Sequence, residues 1–245
     1  MKTRILSILS FLLLTNVFSQ QTPIVYLDYV TVLNTDVQKH IEAERNIFSK
    51  MHKEQIDMGN KIGWDMWQIS NNSYGEPTTT FMYVHIQPDS NISQSPSKIF
   101  TEYELSGHQQ QYTSRIVKTG NLTMSIKGTY GTNPSDKPFN YMVANYMAVD
   151  LYKQYEYEQM ELKSGSNYAQ NGRAAWGFGK ILSHFGSDHE VNYLTFDFYK
   201  SMEEILDTRN NTVKFNKAQM ALWKSYDKLR DLKNSHIMTL IASER

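Results

Sequence analysis

The chain has 245 residues, with 25 basic and 25 acidic side chains and a formal net charge of zero. That balance offers no basic stripe for nucleic acid and no acidic tail. No cysteine occurs, which excludes a disulfide scaffold, a thiol nucleophile and a thiolate metal site.

The N-terminal stretch MKTRILSILSFLLLTNVFSQQ joins a basic head, Lys2 and Arg4, to an apolar run over residues 5–14. The run is too short to span a bilayer, and Val17 and Ser19 precede a cleavage point. Residues 1–19 are therefore expected to be a secretory signal. Export without cysteines suits a bacterial periplasm or exterior. No later apolar run is long enough for a membrane span.

Residues 24–33, IVYLDYVTVL, are rich in β-branched and aromatic side chains and read as a strand. Asn34, Thr35 and Asp36 offer caps to a helix that runs to about Asp57, with Thr35 and Gln38 spaced as a capping box. Val37, Ile41, Ile47, Phe48 and Met51 share one stripe of that helix, and Gly59 closes it. KIGWDMWQIS from Lys61 and TTTFMYVHIQ from Thr78 are the next strands, separated by a turn. A second helix is expected from Ser95 and Pro96 to about Val117, followed by the strand LTMSIKG from Leu122. The order is β-α-β-β-α-β, a ferredoxin-like unit over residues 20–128.

GTYGTNPSDKP is the strongest Gly/Pro/Asn/Asp break in mid-chain, and residues 129–138 read as a linker. The order then repeats over residues 139–245. A strand, FNYMVANYMAVD, leads into a helix from Leu151 to about Ala169, closed by Gly172. RAAWGFGKILS and VNYLTFDFYKS are strands. Helical segments cover residues 202–207 and 217–233, and SHIMTLIAS is the last strand.

The halves align at offsets of 112 to 117 residues. YVTV after Asp28 matches YMAV after Asn145. Trp64 matches Trp176, each three residues after a basic side chain, and FMYVHI matches YLTFDF, which sets His85 opposite Asp197. GNLTMSIKG also matches NSHIMTLIA, and a match in the same order at four strands points to duplication. The fold class expected is α+β, two ferredoxin-like repeats paired into one α/β barrel. In this arrangement of strand, long helix, GW strand, hairpin and second helix the chain resembles the dimeric α/β-barrel superfamily. That group includes antibiotic-biosynthesis monooxygenase-like, NIPSNAP-like and stress-responsive A/B-barrel domains. The resemblance implies that two sheets close on each other, either within one monomer with an internal pseudo-twofold or across a homodimer.

Alternation along the strands puts Asp28, Trp64 and His85 on matching faces of the first unit, and Asn145, Trp176 and Asp197 on those of the second. With these faces lining the barrel, the six residues form the expected site for a small apolar or aromatic ligand, and His85 is the candidate base. Some oxygenases of the resembled group use an Asn, a Trp and a His. Here those types are split between halves, as Asn145, Trp176 and His85. Three functions follow: an exported binder with its ligand in the barrel interior, a cofactor-independent or haem-linked monooxygenase-like enzyme, and an interaction module with a filled barrel. The competing reading of each residue is packing or cross-strand hydrogen bonding. His184, Asp188, His189 and Glu190 fit a metal or a solvated loop, and His40 and His52 read as surface histidines. No cofactor is expected: no P-loop, GxGxxG or GxSxG is present. The glycines at Gly177 and Gly179 fall within a strand and suggest close packing or a bulge.

Overall fold

A computed structural model describes residues 23–70, 77–88, 96–183, 190–210 and 216–245. The expected signal segment and the His184–His189 loop lie outside them. Strand β1 spans Ile24–Leu33, and a single turn, Asn34–Asp36, leads to α1 (Val37–Ala43). A π-helical turn at Glu44–Phe48 passes without a break into α2 (Ser49–Asp57). Then come β2 (Gly63–Ile69), β3 (Thr78–Gln87), α3 (Glu102–Thr113) and β4 (Ile116–Tyr130). The second unit contributes β5 (Tyr141–Ala148), α4 (Gln154–Gly165), β6 (Ala175–Ile181) and β7 (Tyr193–Tyr199). It ends with α5 (Met202–Asn210), α6 (Lys217–Leu229) and β8 (Asp231–Glu244).

These strands close into a barrel in the order β1-β3-β2-β8-β5-β7-β6-β4. Each unit supplies four neighbours in the ferredoxin-like order, β4-β1-β3-β2 and β8-β5-β7-β6. The edge strand of each unit pairs antiparallel with the other unit, β2 with β8 and β4 with β6. Closure removes the exposed edges that either sheet would have alone. It happens within one chain.

Four local expectations change. The Thr35–Gln38 capping box does not form. Asn34 Oδ1 instead accepts from Thr79 Oγ1 at 2.8 Å, and the chain enters α1 through a 3₁₀ turn. The second helix begins at Glu102, not at Ser95–Pro96, because Thr101 and Glu104 form a reciprocal capping box there. β4 runs from Ile116 to Tyr130, so it takes the end of the expected second helix and two residues of the expected linker. The last helix stops at Leu229, and β8 starts at Asp231, within the expected helical segment 217–233. Gly59 and Gly172 do close their helical segments, with φ of +77° and +72°, where a side chain would be strained.

Both faces of the sheet are covered except at the starts of β4 and β8, where residues 117–121 and 231–234 are exposed. The inner face buries Val25, Leu27, Trp67, Met82, Met124 and Met142 with Leu194 and Phe196. The outer face of the first unit buries Val30, Val32, Trp64, Met66, Phe81 and Tyr83 under its helices. That of the second buries Met147, Tyr157, Trp176, Phe178 and Tyr193. The aligned face of Asp28, Trp64 and His85 is therefore the helix-side face, as is that of Asn145, Trp176 and Asp197. Their expected place inside the barrel is corrected by this register. Trp67, not Trp64, points inward. Inside, side chains leave a cavity of only about 90 Å³ beside Trp67, Phe196 and Phe198.

Candidate functional site

The polar residues of the first unit converge between the sheet and α2. Trp64 and His85 are direct cross-strand partners on β2 and β3, and Asp28 lies one strand further on, on β1. His85 Nε2 is 3.2 Å from Asp28 Oδ2. Its Nδ1 is 3.0 Å from Nζ of Lys61, just ahead of β2. The same Lys61 Nζ is 3.1 Å from Nδ1 of His52 on α2. The His52 ring stacks on Trp64 at 4.6 Å and meets His85 edge-on at 5.3 Å.

Hydrogen-bond donors fix the tautomers of this row. The Asp28 carboxylate only accepts, so His85 carries its proton on Nε2 and accepts at Nδ1, and the charged ammonium of Lys61, a donor only, makes His52 accept at Nδ1 as well. His85 Nε2–H then donates to the Asp28 carboxylate. Both ring nitrogens of His85 are thus engaged, and it bridges Asp28 to Lys61. Burial lowers both histidines, and His85 is partly raised again by its Asp28 contact. Lys61 is buried, and desolvation brings it down to about 8, opposed by the Asp28 charge. At the half-exposed end of the row, Asp28 meets solvent.

A cavity of about 580 Å³ opens beside Lys61 and His52. Its apolar wall is Phe48, Met51, Phe100 and Leu105, and Gln55 and Gln87 add polar groups. Gln87 is buried, and its Oε1 has no hydrogen-bond partner among the described residues. Glu54 anchors one rim: its carboxylate accepts from Ser97 Oγ at 2.8 Å and from the Lys98 amide at 2.5 Å.

Further along the same helical run, His40 is fully buried, with Nε2 2.7 Å from the Tyr83 hydroxyl and its ring stacked on Tyr112 at 5.0 Å. Burial lowers His40 to about 4 and raises Glu44, within the π turn, to about 7. The expectation of surface histidines is corrected for both His40 and His52: the amphipathic stripe is wider than its apolar members, and these rings complete it.

In the second unit the same three positions close on themselves. Asn145 stands for Asp28, Asp197 for His85, and Arg173 for Lys61. Arg173 Nε pairs with Asp197 Oδ1 at 2.8 Å, and Asn145 Nδ2 donates to Asp197 Oδ2 at 3.0 Å. Asn145 Oδ1 also accepts from Ser235 Oγ at 2.8 Å. Where His52 stacks on Trp64, Gly165 backs against Trp176. The six expected residues are thus two separate clusters, one on each unit, with their matched Trp residues as walls. His52 and Lys61 were not among them. The signal for Lys61 was the basic residue three places before each Trp. Among the described residues no group of three or more His, Asp or Glu is arranged to hold a metal ion, and no helix is long and apolar enough to cross a membrane.

The architecture is that of a dimeric α/β barrel with both ferredoxin-like units in one chain. Among solved structures, a protein from Lactobacillus acidophilus NCFM provisionally named a monooxygenase superposes with a TM-score of 0.62 at 11% identity, covering 91% of this chain and 96% of that one. A protein of the same provisional name from Fusobacterium nucleatum gives 0.60 at 12%, covering 92% and 95%. An anthrone oxidase-like protein gives 0.57 at 11%, covering 92% and 94%. No family model matches the chain, and no curated protein does.

Proposed function

We propose that the chain is an exported small-molecule enzyme of cofactor-independent oxygenase type, acting on an apolar or aromatic ligand beside Lys61. One observation carries this reading: a buried amine, shared by two imidazoles, faces an apolar-walled cavity of about 580 Å³, a size suited to a small organic ligand. The second unit, with an Arg173–Asp197 pair in the same positions, lacks a free base. The names carried by the structural neighbours agree with an oxygenase, and the N-terminal sequence supports export.

In its neutral form Lys61 takes a proton from an acidic ring C–H or O–H of the ligand, and His52 and His85 receive the N–H groups of the amine. For an anthrone-type methylene, the carbanion passes its electrons to dioxygen and regains a proton from Lys61 as the hydroperoxide. Loss of water then leaves a carbonyl, so one dioxygen is consumed and one water formed. His85 has no free ring nitrogen to ligate an iron, so the haem-linked form of the reading does not fit this residue.

The test is oxygen consumption by the purified chain with anthrone as probe. Lys61→Met should lower kcat by about 10²–10⁴-fold, the usual worth of a positioned proton acceptor. Asp197→Asn, in the second unit, should leave turnover within about twofold if it folds, since a residue outside the site contributes no transition-state contact. Equal turnover by Lys61→Met and the unaltered chain overturns the assignment.

A further inference from the structure

The same amine has a second chemical capacity, which depends only on the cavity being a ligand site and not on dioxygen chemistry. We propose that Lys61 is a nucleophile that forms a covalent imine with a small aromatic aldehyde or ketone bound in the cavity of the first unit.

The hydrogen-bond count supports a reactive amine. Two acceptors face Lys61 Nζ, His52 Nδ1 at 3.1 Å and His85 Nδ1 at 3.0 Å. A neutral amine has two N–H groups and one lone pair. When the ammonium loses its third proton with both rings still protonated on Nε2, its two remaining hydrogens serve the two imidazoles and the lone pair is left for a carbonyl carbon. Two hydrogen bonds from a short stem also fix the orientation of the nitrogen, which a surface lysine lacks. The carboxylate that would stabilise an ammonium, Asp28, is not in contact with Nζ, because His85 stands between them. Burial, which brings Lys61 down to about 8, acts in the same direction.

The cavity then limits the carbonyl compound. Phe48, Met51, Phe100 and Leu105 provide walls for a flat ring. Gln87, buried and with no partner for its Oε1 among the described residues, lines the same cavity and calls for a donor on the ligand. A hydroxyl-bearing aromatic aldehyde meets both demands. In the reaction the Nζ lone pair attacks the carbonyl carbon, the carbonyl oxygen takes a proton, and the resulting carbinolamine loses water. One C=N bond replaces one C=O bond, with no oxidant or reductant. The matched residue Arg173 is not nucleophilic and is held by Asp197, so the second unit has no such capacity.

The experiment treats the full chain with 4-hydroxybenzaldehyde and sodium cyanoborohydride, which reduces an imine to a stable secondary amine. Peptide mapping by mass spectrometry then compares Lys61 with the exposed Lys39 and Lys118. At neutral pH, Lys61 should be modified at least about tenfold faster than either, because each unit of lowered pKa raises the neutral fraction about tenfold. Lys61→Arg keeps the cation and should abolish only that site, with the circular dichroism spectrum unchanged. Modification of Lys61 no faster than that of Lys39 and Lys118, or its complete protection, overturns the proposal. Trapping reads a nitrogen–carbon bond and oxygen uptake reads a proton transfer, so either reading fails without the other.

Discussion

At the scale of single residues, the buried carboxyl of Glu44 makes a prediction of its own. Its folded-state value is raised from 4.5 to about 7, first by burial, against smaller opposing effects of Tyr83, Tyr112 and Arg115. A raised acid stabilises the fold below its unfolded value, and that contribution is lost as pH rises from about 4.5 to about 7. His40 has the opposite sign. Lowered from 6.5 to about 4, it stabilises above 6.5 and loses its contribution as pH falls towards 4. Glu44→Gln, a neutral isostere, should therefore be more stable than the unaltered chain at pH 8 by up to about 3 kcal/mol, and near equal at pH 4. Urea unfolding at both pH values checks this, and an equal difference at both would refute it. In the sequence the charges of EAER, which holds Glu44, read as a solvated face. By position Glu44 falls on the buried stripe, seven residues after Val37 and three after Ile41, and the π turn that begins there shifts the phase only of the residues that follow. Lys61 was partly legible. Its place three residues before Trp64 repeats at Arg173, but only the fold shows that one partner is an imidazole pair and the other a carboxylate.

At the scale of elements, six strands were read nearly to their ends because β-branched and aromatic runs between turn residues are a local signal, whereas the polar starts of β4 and β8 were not read as strand. β1 and β3 match residue for residue. Which face looked inward was not legible. Alternation groups Asp28 with Val30, and Trp64 with Met66, but β1 and β2 bury apolar residues on both faces, so neither set betrays its side by polarity. Trp64 and Trp67 are both buried, one under helices and the other in the barrel. The elements of the two units also pack differently against their matched Trp. A Cβ on Gly165 of α4 would collide with the Trp176 ring, whereas α2 presents His52 to Trp64 in a stack. Gly165→Ala should cost about 1–3 kcal/mol by overpacking, despite the better helix propensity of Ala. Combining it with Trp176→Leu should cost less than the sum of the two single changes, since the smaller side chain vacates the contested space. Thermal unfolding of the three variants tests this, and a neutral or stabilising Gly165→Ala would show that the helix shifts to admit the methyl group.

At the scale of the whole molecule, duplication has produced one closed scaffold with two unequal outer faces. The scaffold is held at its centre by a bond between equivalent residues. Tyr29 of β1 and Tyr146 of β5 stand 117 positions apart, and their hydroxyl oxygens meet at 2.8 Å inside the barrel. Burial raises both, Tyr146 to about 12, so both stay protonated across the neutral range and one donates to the other. This bond and the β2–β8 and β4–β6 seams tie the units together, so neither sheet can open without exposing the inner face of the other. Tyr29→Phe or Tyr146→Phe alone leaves one buried hydroxyl without its partner and should cost about 1–3 kcal/mol. The double variant removes both hydroxyls and should cost little more than either single one, a coupling of about 1 kcal/mol or more. Denaturant unfolding of the four proteins measures it. Each should lose its structure in a single transition, because the interior shared by the two units makes them one cooperative body. Additive costs would mean that the two tyrosines act independently, and two resolved transitions would mean that the barrel wall is weaker than the units it joins.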